Sequence, residues 1–398
     1  MIGAARCFGA AAAQQPWLGH ATAACTAAFA ARSTAAAPQH FRRHPVGYSG
    51  VQDPLGSLTL SSLGVGTYLG GADEATDARV AAAVVASVQE GGFNVIDTAA
   101  NYRWGAAEVS VGRALSELRA QGLQRSELFV STKAGYPPEG LLERALARGD
   151  ISEFDVAGGS HCMHPAFLQL SLNRSLAAMG LGTADLLYLH NPAESQLGQV
   201  GRQEFMQRLR SAFEWAERVR AEGQIKAYGI ASWSCFRVPP SDRSHLGLQS
   251  VVALAEDVGG TDHGFRYIQL PTSAGMPEAW LQPWQELRDG SDSVRLTTAM
   301  EAAAELGLGV FASGPLLQAQ LLKDSQLAAA LAAVPALQRV QGTAPRLLQF
   351  ARSTPGLLTA LVGHKAPEHV QQNCVLSREP PLSGAEFRAA AAALGIAA

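Results

Sequence analysis

Short apolar runs alternate along this chain with longer segments in which apolar residues recur every three or four positions. The short runs predict buried strands, and the longer segments predict amphipathic helices. Strands are predicted at 63–68, 93–97, 128–133, 184–190, 225–231, 265–270, 308–313 and 357–362. Helices are predicted at 75–90, 106–120, 164–180, 202–222, 248–257, 297–306, 343–353 and 367–375. Because strands and helices alternate throughout, we expect a parallel β-sheet.

Eight strand–helix units over roughly 310 residues fit a closed (β/α)8 TIM barrel, and this α/β fold is our prediction. We place the barrel at residues 51–378, with Leu58–Leu60 forming an N-terminal hairpin with the first strand. A C-terminal helical extension is expected over 379–398. Long connections follow the third, fifth, sixth and seventh strands, at 136–163, 234–247, 271–296 and 314–342. They lie on the side where such barrels carry their active sites.

The first fifty residues differ in composition from the rest. They are rich in alanine, contain Arg6, Arg32, Arg42 and Arg43 but no lysine, and precede Asp53, the first acidic residue. An acid-free, arginine-bearing segment able to form an amphipathic helix is typical of an organelle transit peptide. We therefore expect residues 1 to about 45 to be removed and the protein to reside in an organelle matrix. The mitochondrion is favoured and the chloroplast is the alternative, while a disordered alanine-rich tail is the other interpretation.

The remaining composition narrows the partners. With 398 residues and 47% apolar residues, the chain can bury a large core. A net charge of −3 argues against nucleic acid as a main partner. No apolar run reaches the roughly 18 residues that a membrane-spanning helix needs. These features argue against nucleic acid and membrane partners, and they leave the oligomeric state open.

Three of the predicted strands end in polar residues that could cooperate. Asp97 ends the second strand and Tyr102 follows it, while Lys133 ends the third strand and His190 the fourth. A lysine that closes an apolar strand needs a counter-charge, which Asp97 would supply. A phenol beside an ammonium group ionises more readily and can protonate a developing alkoxide. A histidine at the same mouth can orient a carbonyl oxygen.

Other interpretations of these residues exist. The pattern Gly64-x-Gly66-x-x-x-Gly70 before a helix could be a dinucleotide-binding fingerprint, with Asp97 on the ribose. However, Asp97 lies over 30 residues from Gly64 where about 20 is usual, and the helix does not begin directly after the glycines. Individually, Asp97 could be a helix cap, Tyr102 a packed loop aromatic and His190 a strand-end histidine. These alternatives would all have to hold on successive strands.

A further polar cluster follows the third strand. His161, Cys162 and His164 could suggest a metal site. Metal sites usually need three or four ligands with supporting hydrogen bonds, and no other cluster accompanies these residues. We therefore expect no metal here. A role in a substrate loop, or helix capping before Pro165, is the preferred interpretation.

The motifs resemble those of the aldo-keto reductases over roughly residues 57–376. Asp97-Thr98-Ala99-x-x-Tyr102 followed by Glu108, Ser131-Thr132-Lys133 and Asp185-Leu186-x-Tyr188-x-His190 are similar to the family's second, third and fourth strand ends. The resemblance implies an NADP(H)-dependent oxidoreductase that reduces an aldehyde or ketone. It also implies that Tyr102 donates the proton within a catalytic set of Asp97, Tyr102, Lys133 and His190.

The resemblance also implies a set of cofactor-binding residues. They would hold, in turn, the nicotinamide ribose, the carboxamide, the pyrophosphate and the adenosine phosphate. These residues are Gly66, Thr67, Tyr68, Ser232, Gln269, Ser313, Gly314, Pro315, Leu316, Gln318, Gly363, Lys365, His369, Gln372 and Asn373. NADPH is the expected cofactor, and NAD(H) is the less favoured alternative.

The chain departs from the family pattern at several of these positions. Ala231-Ser232 stands where the family usually has Ser-Asn, and Ser313 replaces the aromatic residue that usually stacks on the nicotinamide. His369 replaces an arginine, which leaves Lys365 as the cation expected to meet a 2′-phosphate, although it could be a solvated loop lysine. The altered contacts motivate a second hypothesis, a nucleotide-binding sensor or scaffold protein such as the potassium-channel β subunits of this family.

Overall fold

The structure, a computed structural model, describes residues 15–33, 35–43, 58–288 and 293–396. The strands are β1 (Phe41–Arg43), β2 (Thr59–Ser61), β3 (Leu63–Gly66), β4 (Val95–Asp97), β5 (Phe129–Ala134), β6 (Val156–Ala157), β7 (His161–Cys162), β8 (Ala184–His190), β9 (Ile225–Ala231), β10 (Phe265–Pro271), β11 (Gln285–Arg288), β12 (Val294–Thr297), β13 (Gly309–Ser313) and β14 (Leu357–Val362). Eight of them close into a parallel barrel in the order β10-β13-β14-β3-β4-β5-β8-β9. The predicted fold class is confirmed.

The helices surround this barrel. They are α1 (Ala23–Arg32), α2 (Glu74–Gln89), α3 (Ala106–Ala120), α4 (Leu141–Arg148), α5 (Pro165–Met179), α6 (Pro192–Ala221), α7 (Leu248–Gly259), α8 (Glu278–Leu281), α9 (Ala299–Glu305), α10 (Ser325–Ala333), α11 (Thr343–Arg352), α12 (Pro367–Cys374) and α13 (Gly384–Ala393). The helix α6 is interrupted at Gly201, where φ is 78°. No helix in the described ranges combines the length and the hydropathy that crossing a membrane requires.

The core has an inner and an outer layer. Inside the barrel, the rings of Phe129, Tyr267 and Phe311 contact one another at centroid distances of 5.5–5.6 Å. Outside it, aliphatic residues of the helices pack against the strands, as Val84 and Val88 of α2 do. Every barrel strand therefore buries both faces, which explains why the strands appear as continuous apolar runs rather than alternating ones.

The N-terminal strand pair exists, but its partners differ from the prediction. Thr59–Ser61 pairs antiparallel with Phe41–Arg43, not with the first barrel strand. Only Ser62 separates β2 from β3, so there is no room for the two-residue turn that a hairpin needs. Leu63–Gly66 pairs instead with β4 and β14 as part of the barrel.

Part of the predicted leader packs against the barrel. Phe29 of α1 is 3% exposed and belongs to the main core. The backbone N–H of Ala21 donates to Oδ1 of Asp185 at 2.6 Å, and Arg42 donates to the carbonyl oxygen of Arg352 at 2.6 Å. A cut near residue 45 would remove all of these contacts. Residues 1–14 and 44–57 lie outside the described ranges, and the leader and its organelle stay predictions.

Several elements inside the long connections were not predicted. The connection after β5 contains α4 and an antiparallel pair of β6 and β7, and the connection after β10 contains the pair of β11 and β12. The connection after β13 contains α10. The C-terminal helix α13 is present as expected, and its Phe387 stacks on Phe350 of α11 at 4.7 Å.

Candidate active site

A buried ion pair lies at the carboxyl ends of β4 and β5. Asp97 pairs in register with Ser131, which places Ser131 and Lys133 on the same face of β5 because side chains alternate along a strand. Lys133 is 1% exposed and donates to Oδ1 of Asp97 and, at 2.8 Å, to the carbonyl oxygen of Thr98. Ser131 donates to Oδ2 of Asp97 at 2.7 Å. Burial alone would lower the pKa of Lys133, but the attraction of Asp97 outweighs it and raises that pKa.

Tyr102 covers this ion pair. The Lys133 ammonium lies 4.7 Å from the centroid of the Tyr102 ring. We expected the ammonium to lower the pKa of the phenol, but burial outweighs it and the pKa of Tyr102 is raised. The phenol therefore keeps its proton at neutral pH. This protonation state suits an acid that gives up its proton only when negative charge develops on a nearby oxygen.

His190 completes the predicted set at the end of β8. Its ring meets the edge of Tyr102 at a centroid distance of 5.7 Å and that of Tyr136 at 5.2 Å. Burial, reinforced by the positive charge of Lys133, holds the pKa of His190 well below its usual range. The imidazole is therefore neutral beside the phenol. The structure thus brings together Asp97, Tyr102, Lys133 and His190 at one mouth of the barrel.

Two residues expected at the nicotinamide carboxamide already have partners. Gln269 donates from Nε2 to Oδ2 of Asp97 at 3.0 Å. Ser232 donates to Oε1 of Glu194 at 2.6 Å and accepts from the backbone N–H of Cys235 at 2.8 Å. Gln269 therefore supports the Asp97 carboxylate directly, which the sequence did not suggest.

A groove of three adjoining cavities runs from this mouth across the ends of β13, β14 and β3. A cavity of about 320 Å³ contains Tyr102 and His190, one of about 130 Å³ contains Asp97 and Tyr102, and one of about 480 Å³ reaches α12. Every predicted cofactor residue lines one or more of them: Gly66, Thr67, Tyr68, Ser232, Gln269, Ser313, Gly314, Pro315, Leu316, Gln318, Gly363, Lys365, His369, Gln372 and Asn373. Asn373 also donates from Nδ2 to His364 at 3.0 Å, so its amide nitrogen is engaged within the protein.

The largest of these three cavities has a positive lining. The cations Arg79 and Lys365 line it together with the ring of His369, and none of its lining residues is an aspartate or a glutamate. The first residues of α11 and α12 lie at the same cavity, and helix N-termini attract anions. Arg79 was not predicted, because on the sequence it is one polar residue on the solvent face of α2. Only the closed barrel shows that α2 and Lys365 border the same space.

The loop after β13 is strained. Leu317, Gln318 and Ala319 have backbone φ values of 46°, 53° and 67°, which residues other than glycine rarely adopt. All three residues border the groove. Backbone strain of this kind concentrates at sites where a ligand is held.

The cavity that contains His190 also has residues that the sequence did not indicate. Asn101, Tyr136, Asn191 and Trp233 line it, and its lining residues include no lysine, arginine, aspartate or glutamate. Trp233 is 43% exposed and lies in the loop after β9. These residues come from connections rather than strands, so no hydrophobic pattern marks them.

The His161, Cys162 and His164 cluster does not converge on one point. His164 caps α5, and its Nδ1 accepts the backbone N–H of Ala166 at 3.3 Å, which confirms the predicted capping. His161 and Cys162 form β7 instead. Within the described ranges, the structure contains no group of three or more potential metal ligands.

Comparison with known proteins identifies the family of one segment of the chain. The model of the aldo/keto reductase family matches residues 62–239. This segment is an aldo/keto reductase domain. The match contains the predicted catalytic residues, and the family predicted from the sequence motifs is confirmed.

Aldo/keto reductases also appear among the relatives. D-threo-aldose 1-dehydrogenase of Pseudomonas sp is 32% identical over 180 residues, which is 44% of this chain and 51% of the relative. The NADH-specific methylglyoxal reductase of Escherichia coli is 27% identical over 188 residues, 45% of this chain and 51% of the relative. The chain spans about half the length of these curated relatives.

Solved aldo/keto reductases share the fold over most of the chain. One from Klebsiella pneumoniae, in complex with NADP and acetate, has a TM-score of 0.56 at 21% identity and covers 88% of this chain and 95% of that one. One from Bacillus halodurans, in a holo form, has a TM-score of 0.54 at 19% identity, with 89% and 96% covered. At this identity the likeness shows the barrel and carries no statement about activity.

Proposed function

We propose that the protein is an NADP(H)-dependent oxidoreductase that reduces an aldehyde or ketone to the corresponding alcohol, with Tyr102 as the proton donor. One observation carries this proposal. A protonated phenol lies over a buried Lys133–Asp97 ion pair and beside a neutral imidazole, at the mouth of a groove formed by three adjoining cavities. The relatives named above, which include a dehydrogenase and a reductase, support the same class of chemistry.

In this mechanism the His190 imidazole orients the carbonyl oxygen of the substrate, and Tyr102 transfers its proton to that oxygen as negative charge develops there. Lys133 then faces a phenolate, whose charge its ammonium stabilises, and Asp97 keeps the ammonium protonated and in place. When bound in the groove, a reduced nicotinamide would supply the hydride that the carbonyl carbon accepts, which no side chain can do. The balance is one carbonyl, one hydride and one proton for each alcohol.

The residues present fit a phosphorylated dinucleotide. The groove has an uncharged end at Tyr102 and a cationic end at Arg79 and Lys365, as a nicotinamide at one end and phosphates at the other would require. Gly314 has φ of 58°, and a Cβ added there would meet nothing within 4 Å. We propose that Gly314 to Leu316 hold the pyrophosphate and that residues 363–373 hold the adenosine phosphate.

The cationic cavity supports a preference for NADPH over NADH. Among the described residues, neither Lys365 nor Arg79 forms an ion pair within the protein. An arginine or lysine that meets a phosphate makes a charge-assisted contact roughly twice as strong as a neutral one. We propose that Lys365 and Arg79 together take over the role of the family's arginine, whose position His369 occupies in this chain. The E. coli relative is named as NADH-specific, so the preference must be measured on this protein.

The experiment that tests the function is a turnover screen of the full chain. The purified protein is mixed with NADPH or NADH and a panel of aliphatic, aromatic and sugar aldehydes and ketones, and cofactor oxidation is followed by absorbance. We expect turnover of uncharged carbonyl compounds with NADPH, because no charged residue lines the cavity at His190. Absence of turnover with every compound and both cofactors would contradict the proposal.

A second candidate is a nucleotide-binding sensor or scaffold protein with little turnover. The hydrogen bonds from Ser232 to Glu194 and from Gln269 to Asp97 favour it, since both residues spend a donor within the protein. Tight NADPH binding without turnover of any carbonyl would support this candidate over the enzyme.

A further inference from the structure

A chain of hydrogen bonds links α6 to the backbone of His190 through β7. Arg208 donates from Nη1 to Oε1 of Gln196 at 3.3 Å. Nε2 of Gln196 lies 3.0 Å from Nδ1 of His161, and Nε2 of His161 lies 2.9 Å from the carbonyl oxygen of His190. Gln196 and His161 are 0% and 1% exposed, so this chain is shielded from water.

The direction of every bond in this chain is fixed by chemistry. A guanidinium group can only donate, so the oxygen of Gln196 must face Arg208 and its amide nitrogen must face His161. Nδ1 of His161 is then an acceptor, and the ring proton must sit on Nε2. A backbone carbonyl can only accept, which matches a proton on Nε2. Burial lowers the pKa of His161 to about 4, so the neutral ring persists at neutral pH.

His190 needs such a support because its strand ends there. Asn191, the next residue, has a left-handed backbone with φ of 47°, and its N–H makes the last bond to β9, to the carbonyl oxygen of Ala231 at 2.6 Å. The ring of Tyr136 lies between the two histidines, at 4.9 Å from the ring of His161 and 5.2 Å from that of His190. The carbonyl and the ring of His190 therefore both rest on groups from the connection after β5.

The backbone is shaped to admit the His161 ring. Gly135 has φ of 128°, and a Cβ added there would lie 2.6 Å from Nε2 of His161. Arg208 also donates from Nη2 to the carbonyl oxygen of Phe154 at 2.8 Å, which ties the start of the β6–β7 pair to α6. The β6–β7 pair is thus bonded to α6 through Arg208 and to the end of β8 through His161.

We propose that His161 is a positioning residue that holds the peptide of His190, and through it the His190 imidazole, in the place where it orients the substrate carbonyl. His161 does not touch the substrate itself. The effect of this residue on turnover rests on the proposed function, whereas its tautomer and its hydrogen bond to His190 do not.

Two substitutions separate the hydrogen bond from the packing. His161→Gln keeps an N–H donor near the position of Nε2, and His161→Phe keeps a ring without a donor. We expect His161→Phe to lower kcat roughly 10–100-fold at an unchanged Kd for NADP+, since small misplacements of a catalytic group cost rates of this order. We expect His161→Gln to recover most of that loss. Equal losses in both variants, or a normal kcat in His161→Phe, would overturn the proposal.

The matched control is His263→Phe. His263 is also buried, at 3% exposure, and burial lowers its pKa to about 4 as well, but it precedes β10 at the other end of the strand from the site. We expect this variant to keep the kcat of the wild type even if its melting temperature falls. A loss of kcat as large as that of His161→Phe would assign the effect to general destabilisation and overturn the proposal.

A second measurement does not depend on turnover. In protein labelled with ¹⁵N-histidine, NMR should show His161 as a neutral ring with its proton on Nε2 from pH 5.5 to 8, in conditions chosen above the lowered pKa. A proton on Nδ1, or a charged ring at pH 6, would overturn the proposal. If the wild type reduces no carbonyl, the proposed function fails, while this spectrum still decides whether the hydrogen-bond chain exists.

Gln196→Met provides the test if His161→Phe does not fold. This change keeps the length of the side chain and removes the N–H that donates to Nδ1 of His161, so only the carbonyl oxygen of His190 still favours the proton on Nε2. We expect part of the His161 rings to carry the proton on Nδ1, together with a lower kcat. A wild-type spectrum combined with a wild-type kcat would overturn the proposal.

Discussion

Replacing Lys133 by methionine leaves Asp97 as a buried carboxylate without its counter-charge. Asp97 is 3% exposed and would retain the donors Ser131, at 2.7 Å, and Gln269, at 3.0 Å. Breaking a buried ion pair by removing one partner costs about 3–5 kcal/mol. The variant can limit this loss by taking up a proton on the carboxylate.

The uptake of a proton makes the loss depend on pH. Protonating a carboxylic acid with an ordinary pKa of about 3.9 costs about 1.4 kcal/mol for each pH unit above that value, or about 4 kcal/mol at pH 7. This value lies within the range for a broken ion pair. Near neutral pH, keeping Asp97 as an unpaired carboxylate and protonating it therefore cost a similar free energy. As the pH falls, protonation becomes easier, and the destabilisation of Lys133→Met should shrink by about 1.4 kcal/mol per unit.

The assay is urea denaturation followed by circular dichroism at pH 5.5 and pH 7.5. We expect Lys133→Met to lose about 3–4 kcal/mol of unfolding free energy at pH 7.5 and clearly less at pH 5.5, relative to the wild type at the same pH. The double variant Asp97→Asn/Lys133→Met, which has no buried charge, should be more stable than the single variant at pH 7.5. A loss independent of pH, or no recovery in the double variant, would refute this reasoning.

Three other predictions test separate parts of the structure. Lys365→Ala should weaken NADPH binding by about 1–3 kcal/mol, and Arg79→Ala should weaken it by about 1 kcal/mol because Arg79 is exposed, while NADH binding stays nearly unchanged. Titration calorimetry measures this with 2′,5′-ADP, which carries the 2′-phosphate, and with 5′-AMP, which lacks it. The remote variant Arg388→Ala is the control. Equal losses for both nucleotides would remove these residues from recognition of the 2′-phosphate. Phe29→Ala should lower the unfolding free energy by about 3–5 kcal/mol, and deletion of residues 1–45 should lower it by more. An unchanged melting temperature without residues 1–45 would show that α1 and β1 are dispensable. Burial lowers the pKa values of His161, His263 and His364 to about 4. The unfolded chain therefore binds more protons than the folded one between about pH 6.5 and 4, and the unfolding free energy should fall by up to about 1.4 kcal/mol per pH unit for each histidine as the pH decreases through that window. An unfolding free energy that stays constant between pH 6.5 and 4.5 would contradict the burial of these histidines as neutral rings.

The barrel and the proximity of the candidate site residues could be predicted from the sequence because both follow from strand ends. Continuous apolar runs mark strands that are buried on both faces, and a charged residue that closes such a run, as Lys133 does, requires a partner. The carboxyl ends of parallel strands meet at one mouth, so Asp97, Lys133 and His190 had to lie close together. Tyr102 follows Asp97 by five residues and is carried to the same place.

Other features depend on distances that the sequence does not contain. The pKa of Tyr102 rises because burial outweighs the ammonium, and the depth of burial is set by the closed barrel. The strands β6 and β7 contain two residues each, too few for any periodicity to be visible. The N-terminal segment has the composition of a transit peptide, yet Phe29 lies in the core. Composition predicts whether a free segment would resemble a transit peptide, but it does not predict whether the segment packs against the folded barrel.

The central claim is that Tyr102 gives its proton to the reduced carbonyl, and Tyr102→Phe tests it most directly. This variant removes one oxygen and keeps the ring that packs against Tyr68 and His190. The measurement is kcat for NADPH-dependent reduction of the best carbonyl substrate, together with the Kd for NADPH. We predict a kcat lower by about 10²–10⁴-fold with an unchanged Kd, the range that general acid catalysis supplies. A kcat within about twofold of the wild type would contradict the assignment of Tyr102 as the proton donor.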